Sequence, residues 1–410
     1  MTWLQAALGD FIHKKEIDIQ TGPFGTQLKA SDYTATGIPV INVRNIGYGE
    51  LRPEKLEFVP DDVATRLQKH LLQPQDIVFG RKGAVDRHLY VSEDQSGWMQ
   101  GSDCIRVRIL TECVDPAFLS YALRIESHKQ WMITQCSNKA TMASLNQDVI
   151  ARISVKLPDT ETQKSVVSIL STYDDLIENN CRRIALLEQA ARLLYKEWFV
   201  HLRFPGHEHV KIKEGVPEGW KPVVVPDIID INPTETIPKD SDVLYVPMSC
   251  LSESGMTIAM SGTEIRQKAT TVKFRNGDTL FARITPCLEN GKTGFVNLLG
   301  ENEVACGSTE FIVLRGRRVS PYFVYCLART HDFRENAIKS MIGSSGRQRV
   351  QVSCFDEYIL GLPPQKYLNL FDEMAWNCFS QISTLMRQNE QLQSARDLLL
   401  PRLMNGEIVV

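Results

Sequence analysis

Between Thr160 and Phe199 the chain holds neither proline nor glycine, and its apolar residues recur with a period of seven. With position a at Val166, later a sites fall on Tyr173, Asn180, Leu187 and Leu194. Ile169, Leu176 and Ala190 then take d sites, with Arg183 interrupting the seam. This predicts an amphipathic helix of about 40 residues, roughly 60 Å long at ~1.5 Å per residue. A second run, about 365–404, repeats the heptads with Phe371, Cys378, Leu385, Leu392 and Leu399 at a, closed by Pro401 and Gly406. Two such helices satisfy their seams most simply by packing antiparallel. Ile169, Tyr173, Leu176, Leu187, Leu194, Phe371, Leu385, Leu392 and Leu399 are the residues expected to pack them. Asn180, at an a site, would cost stability but fix register. On periodicity alone, a plain coiled-coil spacer or oligomerisation device is the favoured reading.

The remaining sequence alternates short β-rich runs with turn signals. IPVINVRNI, DIVFG, LYVS and CIRVRIL lie before the first helix; VLYVPM, TLFARI and TEFIVLRG lie before the second. Short helices are expected at Pro116–Ser127 and Pro321–Arg329. The chain thus carries one plan twice, about 205 residues apart. Leu157-Pro158 falls on Leu362-Pro363, and Leu193-Leu194 on Leu398-Leu399. PQDIVFGRKGAVDRHLYV (74–91) resembles NGDTLFARITPCLENGKTGFV (276–296), and GSDCIRVRIL (101–110) resembles GSTEFIVLRG (307–316). The expected fold is α+β: two mixed α/β globules separated by two long antiparallel helices, coiled-coil-like, with a pseudo-twofold internal repeat. The segments are a first globule (1–157), a central helix (158–205), a second globule (206–361) and a C-terminal helix (362–410). The second globule lacks a clear equivalent of GIPVINVRNI and offers SDVLYVPMSCL (241–251) instead.

Composition changes this picture little. At 410 residues and 43% apolar, the chain can bury two or three cores. Ten cysteines without a CxxC pair read as reduced thiols of a cytoplasmic protein, and no apolar run is long enough to span a membrane. Lysine and arginine total 46 against 49 acids, and the balance is local: 18 of each in residues 1–157, 18 and 19 in 206–362. The chain is not a basic nucleic-acid sponge. If it binds DNA, its cations cluster on one face or a partner supplies phosphate contacts.

Catalytic signatures are missing: no GxxxxGK[ST], GxSxG or HExxH occurs. Asp159, Glu161 and Lys164 have a loosely nuclease-like spacing, but at a helix start acids suit the dipole and Asp159 or Thr160 can cap. Recognition chemistry sits on loops. TGPFGTQLK brings Gly22, Phe24, Gly25, Thr26, Gln27 and Lys29; small residues allow close backbone approach, and glutamine can pair with adenine in two places. An ordinary turn with Phe24 packed inward would look the same. Arg81, Lys82 and Arg87 lie between two strands, and Arg44 in IPVINVRNI adds a cation. Their second-copy counterparts are Arg283, Thr285, Asn290 and Lys292. A third pair of loops carries Asn138, Lys139 and Thr141 in one copy, and Ser345, Arg347, Gln348 and Arg349 in the other. Charged loops are usually just solvated; recurrence in equivalent places with altered residues is what two readers of different sequences would require.

GIPVINVRNI (37–46), DIVFGRKGAV (76–85), the Leu-Pro-x-x-x-x-Gln-Lys start at 157–164, its shorter form at 362–366 and LLYKEWFVHLRFPG (193–206) resemble the specificity subunit (HsdS) of Type I restriction-modification systems across the whole chain. The resemblance implies that each globule is a target recognition domain reading half of a split double-stranded DNA site. It implies that the helices set the spacing and dock two methyltransferase subunits. It further implies adenine methylation with S-adenosylmethionine, and ATP- and Mg-dependent translocation and cleavage by a restriction subunit, all carried by partners rather than by this non-catalytic chain. The competing reading is a coiled-coil interaction scaffold with two ligand-reading globules.

Overall fold

The computed structural model describes residues 3–53, 55–137, 143–213, 215–238, 241–267, 271–344 and 346–410. The chain divides into two compact units, Met1–Ile177 with Gln391–Val410, and Glu178–Glu390. The central helix Thr160–Tyr195 contributes to both, as does the C-terminal helix Gln365–Met404.

In the first unit a five-stranded sheet runs Ile17–Thr21, Cys104–Ile109, Ile77–Gly80, His88–Tyr90, Tyr48–Gly49, with only the last pairing parallel. A three-stranded sheet places Ile38–Ile41 between Glu57–Val59 (antiparallel) and Met99–Gln100 (parallel). The second unit repeats this. Its first sheet runs Ile229–Ile231, Phe311–Gly316, Thr279–Ala282, Thr293–Phe295. Its second places Val243–Val246 between Glu264–Arg266 and Val304–Gly307, again antiparallel on one side and parallel on the other. SDVLYVPMSCL is therefore the structural equivalent of GIPVINVRNI after all, each strand leading into a 3-10 turn, Val43–Asn45 or Met248–Cys250. The strand ladders also correct one alignment. Gly80 pairs with Cys104 and Ala282 with Phe311, so Cys104 matches Phe311 and Asp103 matches Glu310, one residue off the sequence match of the GSDC and GSTE segments.

Each sheet is tied to its loops by a buried arginine–aspartate pair. Asp76 accepts from Arg108 Nε and Nη2, both at 2.7 Å, and from the Gln73 N–H at 2.7 Å. Asp278 accepts from Arg315 Nε (2.6 Å) and Nη2 (2.7 Å) and from the Arg275 N–H (2.8 Å). Desolvated in this way, neither carboxylate can lose its partner cheaply.

The short helices begin where expected, Pro sitting at the first turn behind Asp115 and Ser320 caps. They stop at Leu123 and Ala328, and a second helix follows each, Glu126–Cys136 and His331–Lys339. Asp159 accepts from the Thr162 N–H at 2.9 Å and so caps the central helix, which lowers its pKa; Lys164 and Glu161 form an exposed pair of the i,i+3 kind. That geometry is structural, not nuclease-like. The C-terminal helix spans Gln365–Met404, the expected range, and carries Pro401 in its last turn. In a last turn proline forgoes only one helical hydrogen bond.

Within each unit the two long helices run antiparallel. Asp174 meets Arg396 in the first unit; in the second, Asn180 meets Asn389 while Tyr195 meets Phe371. Val166, Leu170, Ile184, Ala191 and Trp198 are buried, with Ile177 partly so. From Val166 the seam therefore advances by four and then three, through Leu170, Tyr173, Ile177, Asn180, Ile184, Leu187, Ala191 and Leu194. The heptad positions d are displaced by one: Leu176 is 45% exposed, Ala190 is exposed, and Arg183 interrupts nothing because Ile184 fills its place. Apolar residues occupy both i+3 and i+4 along this helix, so period alone did not choose between them. Phe371 and Leu385 are buried; Ile169, Tyr173, Leu187, Leu194, Leu392 and Leu399 are partly buried.

The globular parts hold their helices through buried polar groups. Asp174 accepts from Arg396 (2.6 Å), Arg124 (2.9 Å) and the Tyr121 hydroxyl (2.8 Å). Burial alone would raise its pKa, but the two guanidiniums and the hydroxyl together hold it below the usual value. In the second unit Glu188, buried, accepts from the Tyr325 hydroxyl (2.6 Å) and the Met256 N–H (2.8 Å).

Candidate nucleic-acid interface

In the first unit three loops converge around Arg81. Its N–H donates to the Asp103 carbonyl and its own carbonyl accepts from the Leu145 N–H, both at 2.8 Å. The Gly83 N–H donates to Ala143 O at 3.0 Å, so the loop before Leu145 is stitched to 81–83. The TGPFG loop enters from the opposite neighbouring strand, where the Gly22 N–H donates to Cys104 O at 2.9 Å. A Cβ at Gly22 would lie 2.0 Å from the Gly101 carbonyl oxygen, so only glycine lets these backbones meet.

Phe24 points outward, 59% exposed, with the Arg81 guanidinium 5.8 Å from its ring centre. The inward-packed alternative is thereby excluded; Leu28 is the buried anchor instead. Gly25 takes a left-handed backbone (φ 65°) with nothing near its missing side chain, and Thr26 is exposed. Arg66 holds the loop's far side, donating to the Gln27 carbonyl at 2.7 Å and pairing with Asp32, whose carboxylate also accepts the Lys29 N–H at 2.9 Å. Gln27 and Lys29 are exposed.

The other cations are engaged. Lys82 pairs with Asp103 at 3.1 Å and Arg44 with Glu57 at 2.6 Å. Arg87 lies over the Tyr48 ring at 5.5 Å; Tyr48 donates to Asp86 at 2.5 Å, and burial followed by that hydrogen bond raises its pKa. Beneath the loops, burial pushes His88 down to about 3, so it stays neutral against Ser120 at 2.9 Å. Asn138, Lys139 and Thr141 lie outside the described residues, as does Ser345 in the second unit.

The second unit builds the same junction around Arg283. Its N–H donates to Glu310 O at 3.0 Å and its carbonyl accepts from the Val350 N–H at 2.8 Å. Thr285 and Gln348 exchange hydrogen bonds, the Thr285 N–H to Gln348 O at 3.0 Å and the Gln348 N–H to Thr285 Oγ1 at 3.1 Å. Arg349 grips Glu310 with both nitrogens (2.7–3.0 Å), while Arg347 is exposed beside Gly346, itself left-handed at φ 79°. Asn290 donates to Glu253 and Lys292 to the Met248 carbonyl, both at 3.1 Å, so these two brace the unit from within.

One counterpart escaped the sequence reading. The strand before TGPFG pairs with Cys104–Ile109 as Ile229–Ile231 pairs with Phe311–Gly316, so the segment that begins at Asn232 follows its strand as TGPFG follows the first. The signal was present in IDIQT (17–21) and IDINP (229–233). In this loop Glu235 accepts from Arg315 at 2.5 Å.

Among the described residues no group of His, Cys, Asp or Glu could hold a metal ion, and no helix is long and apolar enough to cross a membrane. What the loops offer is hydrogen-bonding and stacking chemistry around two arginine-centred junctions.

A family model for the Type I restriction modification DNA specificity domain matches residues 3–189. The Type I restriction enzyme MjaIX specificity subunit of Methanocaldococcus jannaschii is 24% identical over 305 residues, covering 72% of this chain and 69% of its own length. The HindI specificity subunit of Haemophilus influenzae is 22% identical over 404 residues, covering 83% of this chain and 88% of its own. The crystal structure of the Type I restriction-modification system S subunit from M. genitalium shares the fold, with a TM-score of 0.54 at 13% identity over 98% of this chain and 96% of that one. The repeated sheets and loops fit these likenesses: residues 3–189 match the Type I restriction modification DNA specificity domain, and the chain as a whole is similar to specificity subunits of Type I restriction enzymes.

Proposed function

We propose that this chain is the non-catalytic reader of a bipartite double-stranded DNA site. Each unit reads one half through its arginine-centred junction, and the long helices set the spacing and dock two methyltransferase subunits. Adenine methylation with S-adenosylmethionine belongs to those subunits; ATP- and Mg-dependent translocation and cleavage belong to a restriction subunit. One observation carries this reading. The same backbone junction is built twice, at Arg81 and Arg283, and dressed with different side chains: Lys82 and Gly83 in one, Ile284 and Thr285 in the other. The competing scaffold with two ligand-reading globules leaves the cations on these loops unexplained.

Arg347→Ala tests the assignment. An exposed arginine contacting a base edge contributes about 1–3 kcal/mol of discrimination. In the complex reconstituted with methyltransferase subunits, the variant should relax the second half-site by roughly tenfold or more at one position and leave the first half-site unchanged. Relaxation confined to the first half-site, or none, overturns the assignment of this loop.

A further inference from the structure

The acid at each junction holds a loop cation, and the two units draw that cation from different loops. Asp103 and Glu310 occupy the same backbone place: each carbonyl accepts the N–H of the junction arginine, Arg81 or Arg283. Lys82 is bridged across the junction to Ser144, and Ile284 to Arg349. The cation sits on one side of this bridged pair in the first unit, as Lys82, and on the other side in the second, as Arg349. Both nevertheless close on the shared acid, at 3.1 Å and 2.7 Å. The backbone bridge already joins the loops, and half-exposed ion pairs contribute little to stability. A carboxylate kept in place while its partner moves therefore has a role other than holding the fold.

We propose that Asp103 and Glu310 are specificity gates, competing with DNA for the loop cation of each reading surface. Resting on the DNA-reading function above, the gate works against phosphate contact that is not accompanied by base contact. To bind a phosphate, Lys82 or Arg349 must leave its carboxylate, and the freed carboxylate then repels the backbone nearby. A duplex offering only phosphates gains little from that exchange; a duplex with the right bases adds hydrogen bonds that complete it. The same pairing accounts for reading surfaces whose cations are largely neutralised in a chain of net charge −3.

The test is a salt titration of the full chain reconstituted with its methyltransferase subunits. It uses one duplex containing the site found by methylation mapping and one scrambled duplex of equal length. Glu310→Gln keeps the side-chain shape. It should tighten binding to the scrambled duplex by roughly threefold to tenfold and steepen its salt dependence by about one phosphate contact. Affinity for the site duplex should change less, so discrimination falls. Adding Arg349→Gln to Glu310→Gln should abolish the gain, because no cation is left to release. Asp103→Asn with Lys82→Gln should repeat the pattern in the first unit. A gain that survives loss of Arg349, unchanged scrambled binding, or weakened binding to the site duplex alone would each overturn the gate while leaving the reading function intact. Loss of discrimination in the unmodified complex at every salt concentration would overturn the reading function, and the gate with it.

Discussion

Replacing Arg315 with alanine should lower the stability of the second unit by about 3–5 kcal/mol. Asp278 is only 1% exposed, and three donors satisfy it: Nε and Nη2 of Arg315 and the Arg275 N–H. The variant leaves that carboxylate in the interior with a single backbone donor. It also strips Glu235 of the Arg315 Nη1 contact at 2.5 Å, leaving Arg275 at 3.7 Å as its remaining cation. Lysine should not rescue, because a point charge cannot reproduce two parallel N–H···O bonds and reach Glu235 as well. Arg108→Ala should act in the same direction on the first unit, where Asp76 is equally buried. Denaturant unfolding of each variant measures the effect. A loss below about 1 kcal/mol at either site would mean that the carboxylate finds water or a new donor, and that the pair is not what ties sheet to loop.

The second large effect lies at Asn180 and Asn389, which share a 2.9 Å hydrogen bond in an otherwise apolar seam of the second unit. Asn180→Leu removes one amide and strands part of the other, at an expected cost of about 1–3 kcal/mol. The double variant Asn180→Leu/Asn389→Leu should recover that loss or exceed it, since apolar residues fill such a seam better. Asn389 also donates to Cys181 Sγ at 3.4 Å, a weak contact that the double variant loses without leaving an amide behind. Unfolding measurements over the double-mutant cycle should therefore give strong coupling with opposite signs for the single and the pair. Additive losses would show that the two amides do not act together. A matched polar pair in such a seam can fix register at some cost in stability.

Much of the fold was legible because the chain repeats itself. Leu157-Pro158 against Leu362-Pro363 marks equivalent helix starts in local sequence, and DIVFG against DTLFA marks equivalent strands. The missing parts depended on side chains facing one another across the tertiary structure. SDVLYVPMSCL shares almost nothing with GIPVINVRNI, yet strand pairing fixes it in the same place, because a half-buried strand needs only alternating apolar residues. The helix seam slipped by one because Leu176 and Ile177 are both apolar and only packing decides which turns inward. At the junctions, sequence reading located the loops but not their partners. Nothing in the neighbourhood of Lys82 or Arg349 announces Asp103 or Glu310, which are 21 and 39 residues away. Asn290 and Lys292 looked like surface cations and amides for the same reason, and are held inward by Glu253 and Met248.

If each unit reads its own half of the site, exchanging one unit changes one half alone. The most direct measurement exchanges residues 1–157 for the corresponding segment of another specificity subunit and maps methylation in a host carrying the complete system. The first half-site should change, with the second half-site and the spacing between them retained. Methylation at the original site, or a simultaneous change in both halves, would contradict this.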